Sequence, residues 1–169
     1  MDGGQRWVLA GTGGRRIPEG LGDPLRAVLL ARRADHPEVV VMSGMAEGFD
    51  ELLARSALDL GIPLWAAVPN RGYGRYYWGE HSLFGRDRLA EFDAILEQAK
   101  WVTYVCQTLY EGGLHSNLVR NRWMVEHTDE FMVGPGGKGT ADCLRRIGEA
   151  GLPFVVIGRE HEEQPTLFS

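Results

Sequence analysis

The ten residues 131–140, FMVGPGGKGT, constrain the fold of this chain more than any other stretch. An apolar run ends in a glycine-rich loop, and a helical pattern follows from Ala141. Gly136, Gly137 and Gly139 leave backbone N–H groups free of side-chain cover, and such groups at the mouth of a helix form a site for phosphate or another anion. Pro135, Gly136, Gly137, Lys138, Gly139 and Thr140 are the expected ligand contacts here, Thr140 through its hydroxyl. The same transition occurs twice more. Residues 7–10 run into Gly11-Thr12-Gly13-Gly14-Arg15-Arg16, and residues 39–42 into Ser43-Gly44-Met45-Ala46-Glu47-Gly48. Three such transitions point to a nucleotide-type ligand on an α/β sheet. The PGGKGT loop is not a Walker A loop, because Lys138 precedes Gly139 and the GK[ST] order fails. Magnesium-dependent triphosphate cleavage is therefore disfavoured.

Hydrophobic periodicity supports the α/β reading. Residues 7–10, 39–42, 64–68, 101–105, 131–133 and 154–157 are short apolar runs ended by turn residues, the pattern of buried parallel strands. Between them, residues 24–33, 50–60, 86–99, 115–127 and 141–150 carry apolar side chains three to four apart, the spacing of amphipathic helices. Strictly alternating strands and helices predict a Rossmann-like parallel sheet of about six strands with helices on both faces. Ligands on such sheets bind beyond the carboxyl ends of the strands, where all three glycine loops lie.

Length and charge narrow the rest. A chain of 169 residues fits one domain with a real core, predicted over 1–158, followed by a polar tail over 159–169. The net charge of −5 gives no global field toward nucleic acid or anionic membrane. No apolar run approaches 18 residues, and the first residues lack a signal-peptide core, so a cytoplasmic protein without membrane contact is expected. Two cysteines, Cys106 and Cys143, are too few for a disulfide scaffold, and five scattered histidines show no metal spacing. No metal and no separate cofactor is predicted.

Four ordered pieces carry a family resemblance: GTGGR, SGMAEGFDELLARSALDLGIPLWAAVP, VRNRWMVEHTDEFMVG and GPGGKGTADCLRRIGEAGLPFVVI. Together they resemble the SLOG superfamily, named for the SMF/DprA and LOG proteins, and within it look closest to the YpsA-like branch. The resemblance implies a Rossmann-like domain that binds nucleotides or nucleotide-derived ligands, and a dimer or larger assembly. In the LOG branch, phosphoribohydrolases cleave a nucleoside 5′-monophosphate into base and ribose 5-phosphate, with a PGGxGTxxE signature and an essential upstream arginine. Residues 135–140 match the first part, and Arg120 stands where that arginine would be. The glutamate position is Cys143, with Asp142 one place earlier. A thiol cannot replace a carboxylate that steadies an oxocarbenium-like centre or directs water. The ending TADCLR instead resembles the YpsA-like pattern.

The expected ligand-binding set therefore comprises Gly11, Thr12, Gly13, Gly14 and Arg15 from the first loop and Ser43, Gly44, Met45, Ala46 and Glu47 from the second. Arg120 and Asn121 join them, with residues 135–140 of the third loop. Arg15 can take a phosphate bidentately, and Glu47 is the expected contact to a ribose hydroxyl. Asp50 reads as a cap of the next helix. If the site carries chemistry, N-glycosidic cleavage is the best match, with Arg120 and Asp142 as the catalytic pair.

Two other features suggest different partners. The segment RGYGRYYW, residues 71–78, mixes arginines with aromatic rings and could stack bases, form a lid or a dimer contact, or simply pack its own rings. With Arg86 and Arg88 it is the one local basic cluster that single-stranded DNA binding in the manner of DprA would need. The tail residues Gln164, Leu167 and Phe168 resemble the short peptides by which bacterial replication and repair proteins dock on the sliding clamp. A third role is a ligand sensor that signals to a protein partner through that tail.

Overall fold

The computed structural model describes residues 5–107 and 115–158. Six strands form one sheet: β1 (Trp7–Thr12), β2 (Val39–Ser43), β3 (Leu64–Val68), β4 (Trp101–Tyr104), β5 (Glu130–Val133) and β6 (Phe154–Val156). Five α-helices alternate with them: α1 (Gly22–Asp35), α2 (Phe49–Asp59), α3 (Leu89–Gln98), α4 (His115–Glu126) and α5 (Lys138–Ala150). The strand order is β4-β3-β2-β1-β5-β6, and every pairing is parallel. The Rossmann-like α/β expectation is met. The tail residues Gln164, Leu167 and Phe168 lie outside the described residues.

The continuous apolar runs are explained by burial on both faces. Along β1, Leu9 points into a core shared with Leu25 and Leu29 of α1, Leu53 of α2 and Ile95 of α3. Its neighbours Val8 and Ala10 point into a second core with Met124 of α4 and Ile147 of α5. Register follows: Leu9 lies beside Val41 on one side and Ala10 beside Phe131 on the other.

Two boundaries differ from expectation in ways that bear on the site. β1 runs on through Gly11 to Thr12, because both pair with β5. Helix α5 starts at Lys138, inside the glycine loop rather than after it. The connection after β3 contains a π-helical turn, Gly74–Glu80, that inserts Trp78 into the core. Trp78 is completely buried, and its Nε1 donates to the Met45 carbonyl at 2.8 Å. Of the readings open for this aromatic segment, packing of its own rings holds for Tyr73, Tyr76 and Tyr77, while Tyr73 and Trp78 also pack on Phe92 of α3. Among the described residues no helix is long and apolar enough to cross a membrane.

Candidate functional site

The chain builds the sheet outward from β1 to β4, then crosses back to place β5 on the other side of β1. The topological switch point lies between β1 and β5, where ligands of such sheets bind. The crossing makes neighbours of two glycine loops more than a hundred residues apart. The Gly14 N–H donates to the Pro135 carbonyl, and the Gly134 N–H to the Thr12 carbonyl at 2.9 Å. The second loop is tied in by the Phe49 N–H, which donates to the Gly14 carbonyl at 3.0 Å, and by Arg120 Nη1, which donates to the Gly44 carbonyl.

The glycines divide by purpose. A Cβ at Gly13 or Gly134 would run into the Phe49 ring, and one at Gly11 into Leu53. These three let the buried start of α2 press against the loops. Gly137 and Gly139 face open space and line the cavity. Gly137 precedes α5 with no side-chain cap, and the first helical N–H to be taken is that of Ala141, by the Gly137 carbonyl at 3.0 Å. The N–H groups of Lys138, Gly139 and Thr140 stand ahead of it at the positive end of the helix dipole.

A cavity of about 680 Å³ opens over these amides, a size suited to a small organic ligand. Gly11 to Arg15, Pro135 to Thr140, Arg120 and Asn121 line it from the expected set, with Ala46 from the second loop, and Arg16 joins them. Tyr73, Tyr77, Leu83 and Met124 supply an apolar wall. Four cationic side chains reach it, Arg15, Arg16, Arg120 and Lys138, against one carboxylate, Asp50. The balance favours an anionic ligand. Arg15 lies 4.7 Å over the Tyr77 ring and its Nη2 donates to Glu47 at 3.3 Å, which holds its guanidinium in the wall.

Ser43, Gly44, Met45 and Glu47 do not line the cavity. Ser43 and Met45 are completely buried, and the Ser43 hydroxyl donates to the Asp50 carbonyl and accepts the Met45 N–H. Met45 holds a φ of 63°, a left-handed conformation unusual for a side chain of this size. It is locked there from both sides, by Ser43 and by Trp78. Gly48 follows with a φ of 90°, and a Cβ there would strike the Gly14 and Arg15 carbonyls. This reversal sends Glu47 away from the cavity and turns Asp50 toward it. Glu47 instead accepts from Arg88 at 2.9 Å, Ser82 at 2.7 Å and the Leu83 N–H at 2.9 Å. Burial works to raise its carboxyl, but these bonds outweigh it and hold the group below the ordinary glutamate range. Glu47 thus anchors the wall that carries Leu83.

Asp50 is the carboxylate that sequence reasoning treated as a cap. It is 6% exposed, and its Oδ2 accepts the Ala46 N–H at 3.3 Å while Oδ1 has no partner. Burial pushes its carboxyl up to about 6, against the pull of Arg120 and the Ala46 N–H. Arg120, itself buried, also donates from Nε to Asn121 Oδ1 at 3.2 Å. Asn121 Nδ2 in turn donates to the Gly139 carbonyl at 3.3 Å, which braces α4 against the start of α5.

Asp142 lies outside the cavity lining. It accepts from Arg146 and Arg145, each at 2.9 Å, and from Asn121 at 3.3 Å. Burial would raise its carboxyl, but Arg146, Asn121 and Arg145 together hold it below the ordinary aspartate range. Cys143 is buried in the α5 core, and burial pushes its thiol up to about 12. Cys143, at the place of the glutamate in the LOG signature, is therefore a core packer, and the carboxylate that lines the cavity, Asp50, comes from the segment after β2.

No protein-family model matches the chain, and no curated protein matches it in sequence. Solved structures do share its fold. DNA processing protein A (DprA) from Streptococcus pneumoniae aligns with a TM-score of 0.64 at 17% identity, over 89% of this chain and 50% of that one. DprA from Helicobacter pylori, described in terms of its single-stranded DNA binding mode, aligns with a TM-score of 0.65 at 18% identity, over 92% of this chain and 67% of that one. The protein TM1055 aligns with a TM-score of 0.55 at 16% identity, over 89% and 72%. The chain thus spans half the length of the pneumococcal protein. At such identities the likeness is one of fold.

Proposed function

We propose that the chain is a SLOG-type protein of the YpsA-like branch that binds a nucleotide or nucleotide-derived ligand bearing a ribose phosphate. The observation that carries this reading is the junction of two glycine loops at the switch point, roofed by a cavity with free helix-terminal amides and an excess of cations. The amides of Lys138, Gly139 and Thr140 receive the phosphate, with the Gly13–Gly14 loop, Arg15 and Arg120 beside it. The ring-bearing wall of Tyr73 and Tyr77 covers the rest of the ligand. Cleavage of the N-glycosidic bond is the chemistry this reading admits. Asp142, turned to Arg145 and Arg146, serves to position Asn121 rather than to move a proton.

The test is thermal stability against AMP, other nucleoside monophosphates, NAD, ADP-ribose and ribose 5-phosphate, with each mixture assayed for released base. A ligand at 100 times its dissociation constant adds about 2.7 kcal/mol, a shift of several degrees. A shift with base released makes the protein an N-glycosidase, a shift without release a nucleotide sensor. No shift with any of them contradicts the proposal.

A second reading, single-stranded DNA binding, is suggested by the two DprA structures. The basic cluster it needs is largely engaged. Arg88 is 5% exposed and bound to Glu47, Glu51 and Glu91, and Arg86 is bound to Glu91. Arg71 covers the Tyr104 ring. Affinity for an oligonucleotide that falls steeply with modest salt would favour this reading.

A further inference from the structure

Asp50, which lines the cavity, carries a buried acceptor that the protein leaves unused. Asp50 Oδ1 has no hydrogen-bond partner, although the other oxygen of the same carboxylate is held by the Ala46 N–H. An ionised carboxylate is an acceptor only, so whatever meets Oδ1 must bring a donor. Arg120 stands close by, and the space between them is so tight that a Cβ at Gly44 would lie 2.7 Å from Arg120 Nη1 and 3.0 Å from Asp50 Oδ2. That guanidinium, and the cationic excess around it, disfavours a metal ion. A phosphate brings only acceptors and is served by the α5 amides. In a ribose phosphate the remaining donors are the sugar hydroxyls.

We propose that Asp50 Oδ1 accepts a sugar hydroxyl of the bound ligand and so makes the site selective for a ribose over a deoxyribose phosphate. The inference rests on the nucleotide reading above and assigns to Asp50 the ribose contact expected of Glu47. The charged carboxylate makes the stronger bond to a hydroxyl, so ligand binding favours the ionised form and releases protons near the pH at which the free group titrates. Among the described residues, the titratable and charged groups that act on Asp50 are Arg120 from α4, Tyr73 ahead of the π-helical turn and Cys143 from α5, and Arg15 from the first loop acts on Tyr73. Burial pushes both Tyr73 and Cys143 up to about 12, so neither changes charge between pH 5 and 7, while Asp50 does.

The experiment is calorimetric titration of the full chain with AMP, 2′-deoxy-AMP and 3′-deoxy-AMP at pH 5 and pH 7, repeated with Asp50→Asn. The asparagine keeps its oxygen on the Ala46 N–H and places an amide NH₂ where Oδ1 stood. The wild type is expected to bind AMP about tenfold or more tightly than at least one deoxy analogue at pH 7. Asp50→Asn, whose amide meets a hydroxyl only through a neutral bond, should discriminate among the three less than the wild type does. AMP affinity of the wild type should also rise, by up to about tenfold, from pH 5 to pH 7 beyond any rise in Asp50→Asn, because a group titrating near 6 is about one-tenth ionised at pH 5. The variant shares the ligand phosphate's own titration, so the comparison removes it. Should Asp50→Asn fail to fold, proton release on AMP binding to the wild type at pH 6, measured in two buffers of different ionisation heat, decides the matter. Release that exceeds the release with the deoxy analogues supports the assignment. Equal release, or equal affinity of the wild type for all three ligands, overturns it while leaving the nucleotide site intact. No AMP binding to the wild type overturns both.

Discussion

Replacing Arg88 by alanine removes the cation from the most heavily charged buried cluster in the described fold. The guanidinium donates to Glu47 and Glu51 at 2.9 Å from Nη1, to Glu51 at 2.6 Å from Nη2 and to Glu91 at 2.7 Å from Nε. Glu47 has no exposed side-chain surface, so it cannot recover its loss from water. Removing one partner of a buried ion pair costs about 3–5 kcal/mol. Glu47 keeps Ser82, the Leu83 N–H and Arg15, and Glu91 is a third exposed. The lower end of that range, about 3 kcal/mol, is therefore expected. In a domain of this size that is a fall in Tm of about 6–12 °C at pH 7. The sign with pH follows from Glu47. Its carboxyl is depressed in the folded state, so its contribution is complete above 4.5 and fades as pH falls through the folded value. The deficit of Arg88→Ala relative to wild type should accordingly narrow below pH 4.5. Circular-dichroism melts of both proteins from pH 4 to pH 8 measure it. A fall in Tm under about 2 °C at pH 7, or a deficit independent of pH, would refute the assignment of Arg88 as the anchor of this wall.

Three further outcomes follow from the site. Gly137→Val should fold with nearly wild-type stability, since a Cβ there meets nothing within 4 Å, yet lose nucleotide-induced thermal stabilisation because the side chain enters the phosphate position. Asp50→Asn should be more stable than wild type above pH 6. Protonated Asp50 stabilises the fold below its unfolded value of 3.8, and that contribution is lost as pH rises through about 6, so at about 1.4 kcal/mol per unit the variant gains up to about 3 kcal/mol in chemical denaturation at pH 8. Iodoacetamide at pH 7.5 should alkylate the half-buried Cys106 and spare Cys143, whose thiol burial has pushed up to about 12, so mass spectrometry should show one adduct on the folded chain and two on the unfolded chain.

The inner strands were legible because β1, β2, β3 and β5 are buried on both faces, and a covered parallel sheet leaves a continuous hydrophobic stretch in the sequence. The order β4-β3-β2-β1-β5-β6 was not, since nothing local records that the chain crosses back after β4. That crossing is what joins residues 11–16 to residues 134–140. The second loop was legible as a glycine loop but not in its facing. Glu47 and Asp50 are three residues apart, and the positive φ of Gly48 between them decides which carboxylate reaches the cavity. The pairing of glycine with a left-handed Met45 gives no compositional signal. Arg88 read as part of a basic surface, because its partners Glu47 and Glu51 come from a different element and meet it only in the folded chain. An orphaned oxygen such as Asp50 Oδ1 has no sequence signature at all.

The central claim, that the phosphate of a ribose-phosphate ligand sits on the amides at the start of α5, is tested most directly by amide chemical-shift mapping of the isotope-labelled chain with AMP and with inorganic phosphate. Saturable shifts of the Gly137, Lys138, Gly139 and Thr140 amides with both ligands, joined by Gly14 and Arg15, are the predicted result. Shifts confined to residues away from these loops, or none at millimolar ligand, would contradict it.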